Sequence, residues 1–532
     1  MPPGTSRGLH NPPPNSSIQW LGALRSNLGK LPSFGMLRSW AVGAMPRKIM
    51  LRARTVAIRE WPIVALLALF GIIYGAEVNS YGMFMWDEAE YACIARSALQ
   101  GHGFAISGTP TPLRPPILPL AGAASMLLTG NQFDDSTLRA TNCGFALLAM
   151  LFVYGFATAT FNRTSGFVAA VLLGISPFFW TFVPYFMCEI PFLAFFAAAV
   201  WFFHFGAYRH ERFFLWSWIC WALAFLTRYT ASLFLPVIVL FVPVALWLGG
   251  PETRRRFMSR TFLLSPLAGL LVLGPWLIRQ YSTFGNPLAG LKQASRQLQV
   301  YLPGASMPWH YYLDRMPAML SPAITVLFVA GVIWALARSD RFALHSVLTV
   351  AVILVWFSCY RYKEDRLVSS VLPFMAVIAA IALTKATANL RPLLRGAALG
   401  VALTALFILN QRATRPVFEH WFTLGYPSFL DAMEFLHRHA SPGAVVLGAN
   451  FPQIHWYSGL RTVDFPEEGK LPEALRHSEW VVITNFERGQ KPYVLGLAGR
   501  VAGFSESAAE FRDRNYITVV IRSDLLLQAP AD

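Results

Sequence analysis

The chain has 532 residues, 55% of them apolar and 14% charged, with a net charge of +16 and a mean hydropathy of +0.45. Ordinary globular proteins carry about 45–50% apolar and about 25% charged residues, and a single soluble core stops growing near ~250–300 residues. These figures exclude a soluble multidomain protein, a disordered chain, a collagen and a disulfide scaffold. They predict a polytopic α-helical membrane protein.

In chain order, residues 1–58 are basic and rich in Pro, Ser and Gly, and predict a largely disordered cytoplasmic tail. The first apolar run, 61–79, has full spanning length and no small-residue cleavage pattern, so it predicts an uncleaved first span. Ten further runs approach the ~20 residues that a spanning helix needs. They lie at 139–161, 166–182, 190–208, 213–228, 231–249, 261–278, 319–337, 343–360, 367–385 and 395–410. About eleven spans result, within a membrane domain at 59–410 that has external loops at 80–138 and 279–318. Segment 115–130 opens with Pro115 and Pro116 and reads as an interfacial or re-entrant helix. Counting it as a span would carry the RRRFMSR loop to the outer side, against the positive-inside rule.

The tail and inner loops hold 21 basic and 4 acidic residues, which places the N-terminus in the cytoplasm of a cell inner membrane. The positive charge is thus mainly an orientation signal. Nucleic acid is excluded as a partner, because no Lys/Arg run is interleaved with stacking aromatics on a soluble face. Residues 411–532 change character and predict a small extracytoplasmic α/β domain. Its helix 428–439 would be capped by Ser428 and would bury Phe429, Met433 and Leu436; short β-branched runs follow at 444–448, 480–484 and 517–521.

On the outer membrane side, basic and acidic residues nearly balance, at 11 and 10. Ionisable groups at the membrane edge are costly and mark functional sites by default. Trp86-Asp87-Glu88-Ala89-Glu90-Tyr91 sets three acids at the exit of the first span. On a helix starting there, Asp87, Tyr91 and Ile94 share a face while Glu88 and Glu90 turn away. The plainer reading is a capped juxtamembrane helix with acids at its positive end. Arg114, Arg139, Glu189, Arg228 and the run Arg361-Tyr362-Lys363-Glu364-Asp365-Arg366 fall on the same side. Singly they read as snorkelling anchors or a solvated turn. Together they suit a carboxylate that removes a proton and cations that hold a departing phosphate. Trp309-His310-Tyr311-Tyr312 reads as an interfacial belt before a sugar platform, and His455-Trp456-Tyr457 as local packing. Five cysteines form no disulfide framework, and no CxxC, HExxH, Walker or GxGxxG motif asks for a nucleotide or a tightly held metal. The acids at 87–90 and 189 could hold a divalent ion, but their spacing does not require one, so no cofactor is expected.

Several short motifs in order resemble the GT-C glycosyltransferases of the dolichyl-phosphate-mannose protein mannosyltransferase and lipid A aminoarabinose transferase type. They are WDEAEYACIA, TPLRPPILPL with GNQFDDSTLR, YFMCEIPFLAFF, FLTRYT, PWLIRQYSTFGNPL and YKEDRLVSSVLPF, within residues 60–410. The resemblance implies a polyprenyl-phosphate-linked sugar as donor and inverting transfer to a hydroxyl acceptor on the extracytoplasmic face. A protein, lipid A or an envelope glycan would serve as acceptor, with membrane lipid around the spans. It implies Asp87 as catalytic base with Glu88 as its motif partner, Glu189 as a second acid, and Arg114 on the donor phosphate in place of a more frequent Lys. Arg139, Arg228, Arg361, Lys363 and Arg366 are further candidates for the phosphate; Glu90, Tyr91, Tyr311 and Tyr312 are candidates for acceptor or sugar. Glu90 stands where the aminoarabinose transferases carry Arg. A transporter or flippase of lipid-linked sugars is the alternative; internal repeats and broken midplane helices would favour it, and no repeat is visible.

Overall fold

The computed structural model describes residues 47–528, apart from 79–81, 84, 133, 301–305, 425–426, 486–490, 492, 495, 498–507 and 515. It divides into two units between Pro62 and Ile63. Among the described residues, eight helices are long and apolar enough to cross a bilayer, or nine if one bent pair counts as a single span.

The membrane helices are α1 (Arg47–Glu77), α4 (Asp135–Thr160), α7 (Glu189–Tyr208), α9 (Phe234–Leu248), α11 (Arg260–Phe284), the bent pair α13 (Tyr311–Leu320) and α14 (Pro322–Arg338), α15 (Arg341–Ser358), α16 (Leu372–Ala386) and α17 (Pro392–Leu424). Between them lie α2 (Trp86–Leu99), α3 (Ile117–Thr129), α5 (Arg163–Gly174), α6 (Pro177–Phe182), α8 (Phe213–Phe225), α10 (Pro251–Phe257) and α12 (Ala289–Val300). The segment expected to span at 166–182 breaks into α5 and α6, with Ile175 and Ser176 between them. The one expected at 213–228 gives α8, whose 13 residues reach only ~20 Å at ~1.5 Å per residue. The α13–α14 pair bends by 115° at Ser321, whose φ is +85°. Pro322 disfavours helical geometry in the residue before it, and the Ser321 hydroxyl caps the new helix.

Polar caps set the other boundaries. Asp134 accepts from the Ser136 amide, Asn162 from Ser165, Ser259 from Phe262 and Asp340 from Phe342 and Ala343. The central helices are α7 and the Asp365–Ala386 span, each 89% buried, whereas the Pro392–Arg412 part of α17 is 11% buried and turns an apolar face outward. Lipid supplies no hydrophobic drive between helices, so close approach of small residues holds the centre together. A Cβ added at Gly206 in α7 would sit 2.5 Å from the Phe214 ring of α8.

Segment 115–130 is not a span: α3 is a 13-residue helix packed on α2 and α4. A Cβ at Gly122 would meet Phe186 at 2.6 Å and Leu138 at 2.8 Å, so any larger residue would force those side chains to shift. A small hairpin, β1 (Ala105–Ile106) with β2 (Thr109–Pro110), links α2 to α3.

After α17 and α18 (Pro427–His439) comes a five-stranded mixed sheet in the order β4-β3-β5-β7-β6. Its strands are β3 (Val445–Gly448), β4 (Arg461–Val463), β5 (Trp480–Thr484), β6 (Ala508–Arg512) and β7 (Ile517–Arg522), with α19 (Phe451–Ser458) crossing from β3 to its parallel neighbour β4. The buried face of α18 carries Phe429, Met433 and Leu436 as its pattern predicts. Ser428, expected as its cap, lies inside the helix, and its hydroxyl donates to Asp513 at 2.6 Å.

Candidate active site

Helix α2 begins at Trp86 after an extended Met85 and places Asp87 and Glu88 in its first turn, where the positive end of the helix favours acids. Asp87 accepts from two guanidiniums, Arg114 Nη2 on Oδ1 and Arg366 Nη1 on Oδ2, the latter at 2.7 Å. Glu90 accepts from Arg114 Nε at 2.5 Å. The expectation that Glu90 turns away from Asp87 is therefore overturned, because residues three apart on a helix lie side by side. Glu88 does turn away. Its carboxylate accepts from Arg139 Nε and from the Phe186 amide, both at 3.0 Å, with the two side chains 0% and 2% exposed.

Arg366 comes from the 3-10 turn Asp365–Val371 and also pairs with Glu364. Beside it, Arg228 follows α8 and donates to Glu189 Oε1 at 2.7 Å and to the Arg366 carbonyl at 3.4 Å. Three guanidiniums thus alternate with four carboxylates at the ends of α2, α7 and α8 and at two loop mouths.

Burial alone would raise the Asp87 carboxyl, but the charges and hydrogen bonds of Arg114 and Arg366 outweigh it and hold the group well below the usual carboxylate range. Glu90 moves the other way. Burial, helped by the neighbouring Asp87 charge, raises it against the pull of Arg114. The Tyr91 ring lies 5.3 Å from the Arg114 guanidinium carbon, and burial pushes its phenol well above the ordinary value.

The structure brings Asp87, Glu90, Tyr91, Arg114, Glu189, Arg228 and Arg366 together. Arg139 is 1% exposed and also donates to the Gly82 carbonyl, so with Glu88 it forms a buried pair behind the site. Lys363 is buried with its ammonium on the carbonyls of Met307 and Tyr360. Arg361 is exposed, and its backbone carbonyl accepts from the Met307 amide at 3.2 Å. Tyr311 lies against Asp365, which pairs with Arg315. Tyr312 is 1% exposed within the membrane core. These four do not join the cluster around Asp87.

Two residues were given no role of their own by sequence reasoning. Glu364 balances Arg366, and the rule that a cation at a membrane edge seeks an acid would have found it. Arg279 donates to the Phe104 carbonyl at 3.0 Å and the Thr111 carbonyl at 3.4 Å while stacking on Trp276, which fixes the loop leading to Arg114. It lies inside the motif PWLIRQYSTFGNPL, whose match singles out no residue. Among the described residues, no group of three or more His, Cys, Asp or Glu is arranged to hold a metal.

Residues 113–278 match the family described as dolichyl-phosphate-mannose-protein mannosyltransferase. By structure the chain is similar to ArnT from Cupriavidus metallidurans bound to undecaprenyl phosphate, with 15% identity and a TM-score of 0.67 over 89% of this chain and 100% of that one. The apo state of the same protein gives 14% identity and a TM-score of 0.63 over the same shares. The Archaeoglobus fulgidus oligosaccharyltransferase tethered with an acceptor peptide gives 12% identity and a TM-score of 0.53 over 80% of this chain and 70% of that one. No curated protein matches the sequence. Over residues 113–278 the chain is thus similar to a mannosyltransferase family, and over most of its length it shares the fold of these membrane proteins.

Proposed function

We propose that the protein transfers a sugar from a polyprenyl-phosphate donor to an acceptor hydroxyl, with inversion, on the outer face of a cell inner membrane. The observation that carries this reading is the Asp87 carboxylate held between Arg114 and Arg366. The acceptor oxygen attacks the anomeric carbon, the bond from that carbon to the phosphate oxygen breaks, and polyprenyl phosphate leaves as an anion. The hydroxyl proton passes to Asp87 as the new C–O bond forms. A phosphate is already a good leaving group, so no general acid is needed, and the guanidiniums stabilise the charge that builds on it.

Arg114 and Arg366 therefore serve two anions in turn. Without donor they neutralise Asp87; an incoming phosphate competes for the same donors and loosens their hold, which returns basicity to the carboxylate when there is a proton to take. Arg228, set by Glu189, supplies a third cation beside them. Glu88 and Arg139 hold α2 in place and do not touch the substrate. The excess of basic residues in the tail and in the loops on the same side puts the N-terminus in the cytoplasm and the sheet domain outside. We assign residues 1–58 to the cytoplasmic tail, 59–410 to the membrane catalytic domain and 411–532 to the outer domain.

The test incubates membranes containing the full-length protein with a panel of radiolabelled polyprenyl-phosphate sugars and envelope acceptors. Wild-type protein is expected to release polyprenyl phosphate and label an acceptor, and Asp87→Asn to be folded and inactive. Movement of intact lipid-linked sugar between leaflets with the sugar–phosphate bond unbroken would instead establish a flippase.

A further inference from the structure

Helix α19 of the sheet domain lies against α2, the helix that carries Asp87. Its Trp456 belongs to the hydrophobic cluster of the site itself, packed with Tyr91, Cys93 and Phe186, and is 1% exposed. Two sets of polar contacts flank that ring. Toward the end of α2, Arg96 donates to the carbonyls of His455 and Trp456, both at 2.8 Å, and stacks 4.7 Å from the Trp456 ring. Toward its start, the Asp135 carboxylate accepts from Trp456 Nε1 at 2.7 Å and from the Tyr457 hydroxyl at 2.5 Å. The Tyr457 oxygen in turn accepts the Met83 amide at 2.5 Å, while Phe451 meets the Trp86 ring edge-on at 5.0 Å.

The backbone just ahead of Asp87 is thus held from two directions, by Tyr457 at Met83 and by Arg139 at Gly82. Asp135 and Arg139 lie one turn apart at the start of α4, so one helix end carries both supports. A domain that only capped the membrane body would not need a buried carboxylate shared by two of its side chains. Catalytic groups must be held within about 0.5 Å of their working geometry, and a ~1 Å displacement costs roughly 10²-fold in rate.

We infer that the sheet domain is a working part of the catalytic site, with Asp135, Trp456 and Tyr457 as positioning residues that set the aim of Asp87. The inference rests on the assignment of Asp87 as base. It gives the domain a role in turnover and predicts that its detachment stops transfer without removing a substrate contact.

Tyr457→Phe in the full-length chain tests it, since the variant keeps the ring and loses only the oxygen shared by Met83 and Asp135. Two readouts are needed, hydrogen–deuterium exchange and steady-state transfer. Exchange around Met83 and the start of α2 is expected to rise at least tenfold while strands β3 and β5 stay protected. The kcat is expected to fall 10–100-fold with the donor KM within twofold. Asp135→Asn combined with Tyr457→Phe is expected to be no worse than the worse single variant, because both act through one chain of contacts. If Tyr457→Phe does not fold, Trp456→Phe, which keeps an apolar ring and loses the indole N–H, is measured in the same way. Unchanged exchange, exchange raised with kcat intact, or kcat and KM moving together would each overturn the inference. Asp87→Asn run alongside separates the two claims: transfer surviving that change refutes the base, whereas transfer lost there and kept in Tyr457→Phe refutes only the positioning role.

Discussion

Asp87 and Glu88 are consecutive residues of α2, yet one side chain is 20% exposed between Arg114 and Arg366 and the other is 0% exposed against Arg139 and the Phe186 amide. A helix turns 100° per residue, so adjacent acids are presented to different regions. In the sealed region both carboxylate oxygens are held by buried donors, out of reach of a substrate group. In the open region the same ion-pair chemistry is exchangeable, because a phosphate can replace a carboxylate on a guanidinium. Accessibility of the partner, more than charge, separates structural from chemical use of an acid.

The strongest way to break this contrast is to neutralise each acid in turn. Asp87→Asn is expected to lower kcat by roughly 10²–10⁴-fold, the range a general base supplies, while thermal unfolding in detergent stays near wild type. Glu88→Gln is expected to do the reverse. It leaves Arg139 buried without its counter-charge, a loss of about 3–5 kcal/mol visible as a lower unfolding temperature and yield, with kcat per folded molecule changed far less. Replacing both partners, Glu88→Leu with Arg139→Met, is expected to recover much of that stability, since no unpaired charge remains. Equal losses of kcat in Asp87→Asn and Glu88→Gln, counted per folded molecule, would erase the distinction.

The open pair makes a further prediction about pH. Arg366 helps hold Asp87 below its ordinary value, so the wild-type base stays ionised at every pH above the usual carboxylate value of ~3.9. Removing one guanidinium with Arg366→Gln leaves burial opposed by Arg114 alone and should raise the Asp87 value to the ordinary carboxylate range or above it. The kcat/KM of the variant should therefore fall as pH drops through that higher value, at a pH where wild type keeps its rate. A pH–rate profile from 4 to 8 with polyprenyl-phosphate sugar measures the displacement of the acid limb. An unmoved limb would remove Arg366 from the environment of the base.

Much of this arrangement was legible in the sequence, for identifiable reasons. Apolar runs give spans because lipid demands them, and acids and arginines at one membrane edge stand out because their burial is costly. The period of α18 and the β-branched runs of β3, β5 and β7 carry their own signals. Strand β6 (AAEFR) and three-residue β4 do not, because pairing with a neighbour, not composition, makes them strands. The resemblance, not the helix phase, put Asp87 ahead of Glu88 as base; the phase itself was right for Glu88 and wrong for Glu90. His455-Trp456-Tyr457 read as local packing because its partner Asp135 lies 321 residues away from Trp456, a distance over which no periodicity speaks.

Glu90 supplies the smallest and most discriminating effect. It shares Arg114 with Asp87, and burial together with the Asp87 charge has raised its carboxyl above the usual value. When ionised, Glu90 holds part of the guanidinium that a donor phosphate needs. Glu90→Gln keeps an acceptor oxygen and the side-chain length but removes the competing charge, so binding of polyprenyl phosphate should tighten by about fivefold, on the order of 1 kcal/mol for a pair of this kind. The sign with pH follows from the raised value. As pH falls through it, wild-type Glu90 becomes neutral and comes to resemble Gln, so the advantage of the variant should be largest above that raised value and should fade below it. Titration calorimetry with polyprenyl phosphate across a series of pH values reads both quantities. Weaker binding by Glu90→Gln would mean that Glu90 holds Arg114 in place for the phosphate, and a pH-independent advantage would mean that its charge is not what competes.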